Sequence, residues 1–82
     1  MKEIGTVTHF FDKVSVAVIE LSVGLKVGDK IQIKGSTTDF TQKVASMQVE
    51  HEKLDKAKKG DAIGLKVKER VRPNDKVFLV DK

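Results

Sequence analysis

The chain has 82 residues, enough for one domain spanning 1–82; a chain this short buries only roughly 60% of its unfolded surface, so its core must close efficiently. It has no cysteine, which removes disulfides and thiolate chemistry, and no apolar run of signal-peptide or membrane-spanning length, so a cytoplasmic location with no membrane partner is expected. Sixteen Lys and Arg against twelve Asp and Glu leave a net charge of +4, which permits a polyanionic partner without requiring one, and no Trp or Tyr offers a platform on which bases could stack.

The elements read as β throughout. Residues 4–11, IGTVTHFF, are rich in Thr, Val and Phe and predict a first strand. Asp12 and Lys13 turn the chain into a second strand over 14–21, whose apolar residues on both faces suit a strand covered outside as well as inside. Residues 25–29 form a loop in which Gly28 can take a positive φ. Over 30–35 the pattern alternates, with Ile31 and Ile33 inward and Lys30, Gln32 and Lys34 outward. After a polar turn at 36–39, residues 40–49 predict a long strand whose parity slips, Phe40 and Val44 sharing one face and Met47 and Val49 the other. Such a slip indicates a β-bulge.

Residues 50–59 carry helix-friendly side chains but no N-cap, and read as a turn or single-turn crossover with Leu54 plugging one end. A strand over 62–67 follows, with Ile63, Leu65 and Val67 inward; 72–75 is a turn, and 76–80 closes the sheet. Six strands and no secure helix predict an all-β fold, a single small closed β-barrel, with bulges helping the sheet to curl.

Several of these segments resemble domain two of elongation factor Tu and of its archaeal and eukaryotic counterpart. The carrying pieces are GTV at 5–7, LKVGDKI at 25–31, MQVEH at 47–51, LDKA at 54–57, KGDAIGLKV at 59–67 and RPNDKV at 72–77. The resemblance implies a six-stranded closed barrel of the translation-protein domain-two type and a link to translation. The chain lacks the GxxxxGK[ST] loop that holds nucleotide phosphates, so GTP hydrolysis is excluded and neither a nucleotide nor any other cofactor is expected. In that family the domain helps hold the aminoacylated end of tRNA. Here Ala62 replaces an asparagine that often follows the Gly-Asp pair, and Glu50 and His51 stand where the bacterial factor has an aromatic and an arginine.

Among candidate site residues, Lys66, Lys68, Arg70 and Arg72 recur every second position. If the strand persists they form a cationic ladder rising roughly 6.5–7 Å per step, close to the phosphate spacing of a nucleic-acid strand. Lys34 and Lys43 could extend the patch, and Lys58 and Lys59, beside Lys56, could add a basic corner. The plainer reading is a solvated strand face partly neutralised by Glu69. His9 and His51 lack the HxH or HxxxH spacing of a metal pair, and no serine sits at a nucleophile elbow. A small filled barrel also leaves little room for substrate, so no catalytic residue, metal or enzyme activity is expected. Adjacent Phe10 and Phe11 must face opposite ways, which leaves one of them outside, under a loop or in a contact patch.

Two functions follow from these readings. One is a non-catalytic module contacting tRNA or ribosomal RNA through the basic strand face. The other is a protein-interaction module. Similar barrels occur as appended domains, for example at the C-terminus of the collagenase-like U32 peptidases, and a stand-alone copy would dock on a separate enzyme or ribosomal component. Self-association through edge strands is a third route.

Overall fold

The computed structural model describes residues 2–49 and 52–80. The described residues form ten strands: β1 Lys2–Phe11, β2 Val16–Leu21, β3 Leu25–Lys26, β4 Lys30–Lys34, β5 Asp39–Lys43, β6 Met47–Val49, β7 Glu52–Leu54, β8 Lys56–Ala57, β9 Ala62–Lys66 and β10 Lys76–Leu79. Period-two burial is clean in β4 and β9, where Ile31, Ile33, Ile63 and Leu65 are fully buried and the strand ends are exposed. Among the described residues there is no helix; the protein is all-β.

Eight strands join antiparallel in the order β5-β4-β10-β1-β2-β9-β6-β7, and β3 and β8 form a separate two-residue ladder. β1 lies near the middle, paired with β10 on one side and β2 on the other, with register shifts between Glu3 and Gly5 and between Val7 and His9. These irregularities bend the strand so that its inward residues, Ile4 and Val7, meet Ile19, Ile31, Ile33, Met47, Ile63, Leu65 and Val77 in one apolar interior.

The expected closed six-stranded barrel is thus corrected. The large ladder is open, ending at β5 and β7, and four of the ten strands are only two or three residues long. The predicted strand over 40–49 is two strands, β5 and β6. Between them buried Val44 donates to the Asp29 carbonyl and accepts from the Gly28 N–H, which turns the chain out of the ladder. The parity slip marks that break, and the bulges lie in β1 instead. The predicted crossover holds β7, whose Leu54 pairs opposite Met47 and is half-buried, and β8, which pairs with the presumed loop at 25–26.

Three turns share one construction. In residues 26–29, 58–61 and 72–75 the fourth residue's N–H donates to the first residue's carbonyl, at 3.1, 3.0 and 3.1 Å. Its carboxylate in turn accepts the first residue's N–H: Asp29 from Lys26, Asp61 from Lys58 and Asp75 from Arg72, at 3.1, 3.0 and 2.9 Å. The third residue has a positive φ in each: Gly28 at 99°, Gly60 at 91° and Asn74 at 77°. With Pro73 at the second position of the last copy, this is the type II pattern, which needs Gly or Asn at the third place. Each turn leads into a strand, β4, β9 or β10.

Candidate functional site

The eight basic residues singled out from the sequence are all exposed, but they do not form one face. β9 ends at Lys66, so the ladder loses its strand after its first member; Lys68, Arg70 and Arg72 lie on the irregular stretch leading to β10. Val67 still donates to the Ser15 carbonyl at 2.9 Å, one step beyond the last β2–β9 pair, and past it the chain runs without a strand partner to buried Val71. Arg70 pairs with Asp12 at 3.4 Å, with both side chains about two-thirds exposed, a surface ion pair of small energetic weight. Lys34 sits opposite Asp39 at one end of the β4–β5 hairpin and Lys43 opposite Lys30 at the other. Lys58 and Lys59 belong to the turn entering β9, at the far end of that strand from Lys66.

Only Lys43, Lys66 and Lys68 come together. They line an open groove of about 350 Å³ with Gln42, Ala45, Ser46 and Val67. Gln42 organises this groove: its Nε2 donates to the Lys66 carbonyl and its Oε1 accepts the Lys68 N–H, both at 2.9 Å. The side-chain amide behaves as a short piece of strand, bridging edge strand β5 to the chain leaving β9. Nothing in the sequence pattern marks Gln42 for this, because the bridge joins residues 24 and 26 positions apart.

A second surface lies on the outer side of β2, β6 and β9. Phe11 and Val14 are 54% and 58% exposed, and with Val16, Val18, Ala62, Gly64 and Gln48 they line a hollow of about 510 Å³. The apolar residues on both faces of β2 predict a strand covered outside; among the described residues no segment of the chain covers it. Of the adjacent phenylalanines, Phe10 packs against the core and Phe11 is the outward one, its ring stacked on His9 with centroids 6.4 Å apart. Gly64 forms part of the floor: an added Cβ would meet only Val16 Cγ1 at 3.4 Å and Gln48 O at 3.8 Å. Glu50 and His51 lie outside the described residues. Among those described, no three His, Cys, Asp or Glu side chains converge, and no helix is long and apolar enough to cross a membrane.

No family model matches the chain. Over 79 residues, 95% of its length, it is 48% identical to a Methanocaldococcus jannaschii protein named as an uncharacterized protease. Over 81 residues, 96% of its length, it is 41% identical to the collagenase of Porphyromonas gingivalis. The solved C-terminal domain of a Geobacillus thermoleovorans protein assigned to the U32 peptidases matches with a TM-score of 0.91 at 20% identity, covering 98% of this chain and 93% of that one. The fold is that of a U32 peptidase C-terminal domain.

These findings overturn the elongation-factor resemblance and, with it, the reading of a translation-linked RNA-binding module. Three of the six strings that carried the resemblance contain all or most of the turns at 26–29, 58–61 and 72–75. Their Gly-Asp and Asn-Asp pairs answer a backbone requirement that any small curled sheet with such turns must meet. The chain spans about a fifth of the length of the curated relatives, 19% and 22%. The expectation about enzyme activity narrows accordingly: the chain shares its sequence with one segment of proteins named as proteases.

Proposed function

We propose that this chain is a non-catalytic accessory domain of U32-type peptidases, one that contributes to the action of a catalytic body without supplying reacting groups. The observation that carries this reading is the alignment of almost the whole chain, at 48% and 41% identity, with only a fifth of a protease and a collagenase. A segment of that size is a module of a larger enzyme. The character of the described surfaces agrees with such a role. The groove at Gln42 is open and presents three lysines, and the outer hollow is mainly apolar. With Gln42 linking β5 to the chain after β9, the curled sheet serves as a barrel-like scaffold that presents these surfaces.

The test is a domain exchange. The matched segment of the Porphyromonas gingivalis collagenase is replaced by this chain, and collagen cleavage is compared with the parent and with a form lacking the segment. The exchanged protein should retain cleavage within about tenfold of the parent, and the isolated 82-residue chain should release no peptides from the same substrate. Peptide-bond hydrolysis by the isolated chain, or a folded exchange no better than the deletion, would reject the accessory role.

A further inference from the structure

We infer that the hollow on the outer side of β2 and β9 is the surface on which this domain packs against the peptidase body carried on the same polypeptide in its relatives. The inference rests on the accessory-domain reading and adds to it the face and the partner. Phe11 and Val14 are more than half exposed, while Val16 and Val18 on the same side are half-buried, so four adjacent apolar side chains face outward from the centre of the large sheet. A soluble domain rarely leaves such a cluster bare, and contiguous apolar surface of this kind marks an interaction site. The cluster also has the anatomy of an interface. An apolar centre over Ala62 and Gly64 is bordered by exposed charge at Asp12, Lys13, Lys66 and the Arg70–Asp12 pair.

Size selects the occupant. Seven of the described residues line the hollow, whereas a free-standing stable complex uses roughly 20–30 residues a side. A second copy of the chain or a diffusing partner therefore gains too little here to offset the entropy of association. A body joined through the backbone meets the hollow at an effective concentration of order millimolar, and a small apolar contact then suffices. In the relatives such a body exists, because about four-fifths of each lies outside the matched segment. Gly64 and Ala62 suit the contact: side chains this small on β9 leave room between Val16 and Gln48 for an inserted apolar group.

The chain has no cysteine, so Val14→Cys introduces a single thiol at the hollow and Lys34→Cys a control thiol at the end of β4. Each is placed in the isolated chain and in a full-length exchange with the Methanocaldococcus jannaschii relative. Maleimide labelling is followed site by site by mass spectrometry. The thiol of Val14→Cys should label at least tenfold more slowly in the exchange than in the isolated chain, while that of Lys34→Cys changes less than twofold. Equal labelling at position 14 in both proteins overturns the proposal. Slow labelling already in the isolated chain, with sedimentation at twice its mass, also overturns it and gives the hollow to a second copy. Should the exchange fail to fold, the isolated variant is titrated to millimolar with the relative's body prepared without its matched fifth. Protection of the thiol supports the proposal and its absence overturns it. Protease activity of the exchange is read separately. Activity retained with an open thiol rejects this surface and leaves the accessory role standing; activity lost with a protected thiol does the reverse.

Discussion

Three aspartates at the ends of turns give a graded view of what one carboxylate contributes. Asp29, Asp61 and Asp75 make the same two local bonds, but only Asp75 is buried, at 6% exposure. Asp75 also lies against the backbone of Gly35: a Cβ there would collide with its carboxylate oxygens, and Gly35 is held in place by donating to the carbonyl of buried Thr38 at 2.7 Å. Removing a buried carboxylate, and with it the partner of the part-buried Arg72 N–H, costs more than removing one that water can replace. Asp75→Ala is expected to lower unfolding free energy by about 2–3 kcal/mol, against about 1 kcal/mol for Asp29→Ala or Asp61→Ala, as read from urea titrations. In the same assay Gly60→Ala, at φ 91°, should cost about 1–2 kcal/mol, whereas Asn74→Gly should be nearly neutral. Equal losses for the three aspartates would contradict the role given to burial. These turns were legible in the sequence because their chemistry is local: four consecutive residues carry both the positive φ and the carboxylate.

Longer range defeats that legibility at the level of strands. β4 and β9 are announced by alternation, but β3, β6, β7 and β8 have two or three residues each, too few to display a period. Their pairing is settled by distant partners, as when Leu25 meets Ala57 or Met47 meets Leu65. The basic ladder failed for a related reason: spacing by two continues past Lys66, but the ladder partner does not. Gln42 was equally hidden, since a polar residue on an edge strand is the commonest thing an edge strand shows. Its two bonds, both solvent-exposed, predict that Gln42→Ala lowers stability by about 1 kcal/mol with the urea slope unchanged. A change above about 3 kcal/mol, or a shifted slope, would mean that the bridge holds up more than the groove.

For the molecule as a whole, the apolar residues divide into those that hold the fold and those that do not. Ile19 and Ile63 face each other across β2 and β9 with no exposed surface, so Ile19→Ala or Ile63→Ala should cost about 2–5 kcal/mol. Phe11→Ser, on the open side, should change the isolated chain's stability by less than about 0.5 kcal/mol. A large loss from Phe11→Ser would return that ring to the core and remove the argument for a docking face. The sequence led to the right class, an all-β fold of short strands around Ile, Leu and Val. It could not separate one curled scaffold from another, because elongation-factor barrels and peptidase appendages meet the same turn and core requirements. Apolar residues on both faces of β2 predict a strand covered on both sides, and the outer side is the open hollow at Phe11 and Val14.

The bridge at Gln42 also sets where the domain yields first. A ladder gives way only when several backbone bonds break together, but a latch made from one amide releases with a single rotation of its side chain. The Lys68 amide, whose partner is that latch, is therefore expected among the earliest to exchange with deuterium, while Ile19 and Val7 wait for the whole sheet to come apart. The same exchange measurement is expected to place the first opening at 42 and 66–68, ahead of the interior.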